Sequence, residues 1–222
     1  MQMHSLSFDI SHTLAGGLVL ISFMMLYQDR LYSLLNVFAL HALVLTLSVA
    51  WQAYVQDAPH LYVTAAIALL FKAIIIPYAL RRIVARLQIH HTIETVIGVG
   101  PTMMAGVALV ALSILLVLPV TFASGALTRE SLAMALSVVL IGLLMMITRR
   151  NAVTQVVGFM SLENGLILAA VGVRGMPLVV EMSIAFSVMV AFIIFGIFFF
   201  HIRERFDTLD MQYIETFRGD QR

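Results

Sequence analysis

Seven long apolar runs, with almost no charge inside them, decide what this chain can fold into. They cover roughly 11–28, 31–55, 61–80, 101–122, 131–148, 152–173 and 178–202. A helix needs about 20 mostly apolar residues to cross a bilayer, and each run is close to that length. The period-2 alternation of a membrane barrel appears nowhere. Hydrophobic residues make up 61% of the chain and charged ones 11%, against about 25% charged in soluble domains. The expected fold is an all-α integral membrane protein with seven transmembrane helices. The first run, Leu14 to Tyr27, has no basic stretch before it and no small-residue cleavage site after it, so it reads as a retained helix rather than a signal peptide.

The arginines orient the helices. With seven spans, Arg30, Arg81, Arg82, Arg86, Arg149, Arg150, Arg203, Arg205, Arg218 and Arg222 share one side, and Arg129 and Arg174 the other. Basic residues accumulate on the cytoplasmic side, which puts the N-terminus outside and the C-terminus in the cytoplasm. Along the chain we expect an N-terminal three-helix part with a cytoplasmic interfacial segment (1–100) and two connecting helices (101–148). The last helices, with Glu163 (149–202), and a cytoplasmic tail (203–222) follow. Ile83 to Gly100 is too polar to cross, and either lies along the interface or forms a loop. The charged, amphipathic tail reads as a solvated stop-transfer segment or as a docking segment for a cytoplasmic partner.

Several functions are excluded at this level. A net charge of +1 offers no basic field for nucleic acid. With no cysteine, the chain cannot form a disulfide or ligate an iron–sulfur or nickel centre through thiolates. Its seven histidines show no metal-ligand spacing. No cofactor is expected, so any redox chemistry belongs to other chains.

What remains is a short set of polar residues inside the apolar runs. An ionisable side chain in a bilayer costs from about 2.5 kcal/mol upward, and such residues are functional candidates by default. Glu163 lies near the middle of the sixth run. Val156, Phe159, Met160, Leu166, Ile167 and Ala170 share its helical face, while Gly158, Ser161, Gly165, Ala169 and Gly172 line the opposite one. Small residues at that spacing admit a close neighbouring helix, so the helix is expected to be gripped on one side and to present Glu163 on the other. Its carboxyl group either exchanges a proton or stays protonated as structural glue. Lys72, the single lysine, lies well inside the third run, five residues before Pro77. Proline donates no backbone bond and crowds the carbonyl four residues back, so a kink or opening beside Lys72 is expected. The alternative for Lys72 is to snorkel to the surface. His41, in the second run, could relay protons or be a neutral histidine satisfied by a neighbour. Glu181, at the outer start of the last run, suits either an interface or a path. Arg149 and Arg150 read as topological, and Asn151 as the N-cap of the Glu163 helix.

These residues sit in familiar company. RRNAVTQVVGFMSLENG, PLVVEMSIAFS, FKAIIIP and the tail's TLD together resemble the HyfE family, component E of hydrogenase-4-type, energy-converting [NiFe] hydrogenases and formate hydrogenlyases. The last three helices are also similar to the small NuoK-type subunit of respiratory complex I and its MrpC-type counterpart in cation antiporters. The resemblance implies a non-catalytic membrane subunit of an oxidoreductase complex, integral to the bacterial inner membrane, with a role in a proton or cation path. It implies antiporter-like and quinone-site-like membrane subunits as partners, with soluble hydrogenase and iron–sulfur subunits reached indirectly. By the same resemblance Glu163 matches the central glutamate, Lys72 the buried lysine and Glu181 the glutamate at the start of the last helix. Ser187 stands where the family can carry an aspartate, and a serine holds water but carries no charged proton. Asn164, beside Glu163, is a second candidate for holding water. The competing readings are a subunit of a cation antiporter or other complex-I-like assembly, and a purely structural scaffold.

The topology is open to test. A reporter fused after Arg222 should be cytoplasmic and a tag after Asp57 accessible from outside; the reverse pattern would break the helix count or its orientation.

Overall fold

The computed structural model describes residues 2–86, 93, 95–120 and 126–172, with 189, 193 and 196. The described residues are helical throughout, apart from short connections and one isolated antiparallel bridge between Thr95 and Arg149. In order these are α1 (Gln2–Tyr27), α2 (Leu31–Gln56), α3 (Pro59–Ile67), a π-helical segment (Ala68–Ile75), α4 (Ile76–Arg86), α5 (Val99–Val120), α6 (Ala126–Thr148) and α7 (Ala152–Gly172). The third expected span is one continuous rod made of α3, the π segment and α4. Counting it once, six helices are long and apolar enough to cross a membrane. They fall on the first six expected runs. The seventh run, 178–202, lies outside the described residues apart from 189, 193 and 196, and so do Glu181, Ser187 and the tail.

Pro77 explains the break in the third rod. An α-helix would pair the residue 77 amide with a carbonyl four residues earlier, and proline has no N–H to give. The chain widens ahead of it, so that the Ile76 N–H bonds the Phe71 carbonyl five residues back. The expected opening beside Lys72 therefore takes the form of eight π-helical residues. π geometry is rare and usually confined to a single turn.

α2 is the hub, packing against α1, α3, the π segment, α4 and α7. Leu34, Leu35, Phe38 and Leu45 of α2 meet Leu18 and Met25 of α1 in a fully buried core. The closest packing is between α6 and α7. A methyl group built on Gly142 would lie 2.6 Å from the Leu162 nitrogen, and one on Gly165 would lie 2.8 Å from the Val139 nitrogen. The small face of α7 is thus seated backbone to backbone on α6, as its sequence leads one to expect.

The Ile83 to Gly100 segment is described only in part, residues 87–92 and 94 lying outside the described residues. Its first residues complete α4, with Ile83 and Val84 buried in the core. Farther on, the Ile93 N–H donates to the Asp29 carbonyl (2.7 Å) and the Val96 N–H to the Thr148 carbonyl (2.9 Å). This connection laces the α1–α2 turn to the α6–α7 turn, gathering Arg30, Arg149 and Arg150 at one end of the bundle.

Arg149 is the main surprise at that end. Read from sequence as a topological charge, it is instead 2% exposed, and its guanidinium donates to the Leu26 carbonyl (2.6 Å). It closes the C-terminus of α1, where a cation also complements the helix dipole. Burial lowers its pKa and the Asp29 carboxylate acts the other way, but a guanidinium remains protonated. Asn151 is the expected N-cap, accepting the Val153 N–H at 2.8 Å.

The α6–α7 seam yields a stability test. Gly142→Ala or Gly165→Ala must displace backbone, and each should cost about 1–3 kcal/mol, the usual range for overpacking. Gly16→Ala, where a methyl meets nothing within 4 Å, should be neutral or better. Thermal unfolding of the detergent-solubilised chain would separate the two classes, and equal midpoints for all three variants would contradict the packing.

Candidate functional site

Four separate helical segments each bring one or two polar side chains to a single buried locus. Glu163 and Asn164 come from the middle of α7, Lys72 from the π segment, His41 from α2 and Ser22 from α1. None is more than 3% exposed. Lys72 does not snorkel. Its Nζ lies 3.2 Å from Glu163 Oε2 and donates to Asn164 Oδ1 at 2.8 Å. Asn164 Nδ2 meets His41 Nδ1 at 2.9 Å, and His41 Nε2 meets the Ser22 hydroxyl at 3.1 Å. The Ser22 hydroxyl in turn donates to the Leu18 carbonyl at 2.9 Å, one turn back on its own helix.

The local sequence explains this convergence. Because α6 grips the glycine face of α7, Glu163 and its neighbour turn toward α2 and the third rod. α2 and α7 touch directly, which brings His41 to Asn164. The π segment, which also packs against α2, delivers Lys72 to the same point.

The polarity of the chain of bonds follows from chemistry. An ammonium can only donate, so the Asn164 oxygen faces Lys72 and its amide nitrogen faces His41. His41 Nδ1 therefore accepts, and Nε2 carries the proton that Ser22 receives. The Ser22 hydroxyl is left to donate to Leu18. Every group from Asn164 to Ser22 turns its negative end toward Lys72. This line of dipoles does for a buried cation what water would do outside, and such chains polarise one another favourably. The carboxylate of Glu163 closes the charge balance. Burying two ions is costly, and only good geometry with further hydrogen bonds offsets it.

Among the candidates read from sequence, the structure brings Glu163, Lys72, His41 and Asn164 together. Ser22 was missed. A buried serine within an apolar helix is common, and nothing in its neighbours distinguishes it. Among the described residues no group of three or more His, Asp or Glu side chains is placed to hold a metal ion. At the opposite end of the bundle from Arg149, the Gln56 amide donates to the Val171 carbonyl (2.8 Å) and His12 meets Glu130 (3.1 Å) at the surface.

The chain is distantly homologous to proteins named hydrogenase-4 component E. It is 29% identical to those of Escherichia coli and Shigella flexneri over 214 residues, 95% of this chain and 98% of theirs. It is also 27% identical to an uncharacterised protein of Mycobacterium tuberculosis over 92% of this chain and 94% of that one. No family model matches the chain, and no solved structure does.

A double-mutant cycle measures the pair. Lys72→Met and Glu163→Gln should each destabilise the purified chain, and the double variant should lose less than the sum by about 0.5–3 kcal/mol, the range for contacting residues. At roughly 2–4 °C per kcal/mol for a chain of this size, the deficit is readable in Tm. Strict additivity would mean that the two side chains do not interact.

Proposed function

We propose that this chain is a membrane subunit of a hydrogenase-4-type oxidoreductase complex and that Glu163 and Lys72 form a proton-handling station at mid-membrane. The observation that carries this reading is the 3.2 Å ion pair, 4% exposed or less at both side chains, buried between two helical segments. Apolar residues of similar volume often replace such a pair without loss of stability, and two titratable groups are what a proton path requires. Similarity to hydrogenase-4 component E over nearly the whole chain supplies the class of complex. The redox reaction lies with other subunits. Those partners are antiporter-like and quinone-site-like membrane chains, with soluble hydrogenase subunits reached through them. The setting is the inner membrane of a bacterium. Glu181 and Ser187 stay in the proposal as flanking positions on the last helix.

The mechanism is electrostatic. An ammonium beside a buried carboxyl group favours its charged form, and in an apolar site withdrawal of that ammonium favours the acid. A one-unit change in proton affinity is about 1.4 kcal/mol. Carrying one charge across the membrane potential is worth about 2.3 kcal/mol per 100 mV. A modest displacement of Lys72 therefore acts on the scale that coupling requires. The π segment is where such a displacement is easiest, because its backbone is already out of the regular register.

Glu163→Gln retains size and hydrogen bonding but cannot titrate. In vesicles driven by the complex's own redox reaction, the variant complex should assemble and lose most of its proton uptake per turnover. Wild-type coupling in an assembled Glu163→Gln complex would reduce the residue to structural glue.

A further inference from the structure

The bonded route from the ion pair to His41 passes through a side chain that cannot carry a proton. Asn164 accepts from Lys72 with its oxygen and donates to His41 with its nitrogen. A carboxamide has donors and an acceptor but no titratable proton, so it aligns its neighbours without passing charge between them. From His41 toward Glu163 the bonds pass through Asn164 and then Lys72. On the far side of His41 lies Ser22, whose hydroxyl ends on the Leu18 carbonyl. That carbonyl belongs to the α1 backbone, so the line ends there. It is a closed strut rather than a wire.

We infer that Asn164 and His41 are positioning residues for Lys72, with His41 held as the neutral Nε2–H tautomer, and that the proton path does not run through His41. This rests on the proposed role of the Glu163–Lys72 pair and removes His41 from the path at this locus. His41 braces the Asn164 amide, which cannot flip without placing its NH₂ against an ammonium and its oxygen against a bare nitrogen. The amide in turn fixes where the lysine rests when it pairs with Glu163. Among the described residues the charged group acting on His41 is Lys72, with Glu163 beyond it; its bonded partners, Asn164 and Ser22, are neutral. A histidine is well suited to this brace, since its ring offers an acceptor and a donor on opposite edges. Its usual association with proton transfer is, at this position, incidental.

Two experiments decide it. In the assembled complex, His41→Gln supplies one acceptor and one donor without a titratable group, and His41→Leu supplies neither. A brace predicts proton uptake near wild type for His41→Gln and a loss of about tenfold or more for His41→Leu, as expected when a reacting group is misplaced by an ångström or so. If His41→Gln loses uptake as fully as Glu163→Gln does, His41 is a station and the inference is overturned. Independently of transport, nitrogen-15 NMR of the purified full chain in lipid, with His41 assigned by difference from His41→Gln, should show a bare Nδ1 and a protonated Nε2. Asn164→Leu should shift the Nδ1 resonance. A protonated Nδ1 in the wild-type chain would refute the assignment. The NMR result stands whatever Glu163→Gln does to coupling, so the brace and the wider functional reading fail separately.

Discussion

One ion pair in an apolar medium sets the terms for the rest of this bundle. Lys72 and Glu163 have each left water, and neither could do so alone at an acceptable free energy. Everything around them reads as a consequence. Asn164 must face Lys72 with its oxygen, His41 must be neutral, and Ser22 must send its hydrogen to its own helix. Three segments besides α7 are thereby fixed in register at one depth. A slip of one residue in α2 would turn His41 about 100° around its axis and strip Asn164 of its acceptor. The polar locus therefore does for specificity what greasy, interchangeable side chains cannot.

The two members of the pair sit on very different supports. Glu163 comes from α7, whose glycine face meets the α6 backbone with no room for a methyl group. Lys72 comes from the one stretch of described helix that departs from α geometry. The stiff side of the site holds the acid and the soft side holds the base. Interhelical contacts built on backbone approach resist sliding, because any shift meets hard atoms rather than side chains that can turn. A long side chain on an irregular turn adjusts at far less cost. If the pair opens, the geometry favours motion of the lysine while Glu163 stays in place.

Much of this was legible in the sequence, and the limit has a physical form. Charge inside an apolar run is conspicuous because the surrounding residues supply the contrast, so Glu163 and Lys72 stood out at once. Pro77 announced an opening because the lost donor acts within its own helix. The small face of α7 was visible for the same reason, being periodic along one segment. What could not be read was anything that depends on a second segment arriving. Arg149 and Arg150 are adjacent and identical in type, yet only Arg149 is buried, because the C-terminus of α1 ends against it. Ser22 and Ser48 are both buried serines in apolar helices, and only the first faces a histidine ring. Ile83 and Val84 looked like the start of a polar segment because these last residues of α4 find their core only in three dimensions.

The direction of the hydrogen bonds carries one more consequence. Asn164, His41 and Ser22 all point their donors away from Lys72, so the locus is arranged for a cation at that position. Were Lys72 to lose its proton, the amine could accept, and the Asn164 amide would gain nothing from its present orientation over the reverse. The reverse would require His41 to move its hydrogen to Nδ1 and Ser22 to redirect its hydroxyl from Leu18. Those changes must occur together, because a single group turned the wrong way leaves two donors or two acceptors face to face in a site without competing solvent, a penalty of about 1–3 kcal/mol per unsatisfied group. The line of dipoles thus turns, or stays, as one unit. Glu163 pairs with the lysine off that line, so the same ammonium answers both to the acid and to the row of dipoles that begins at Asn164.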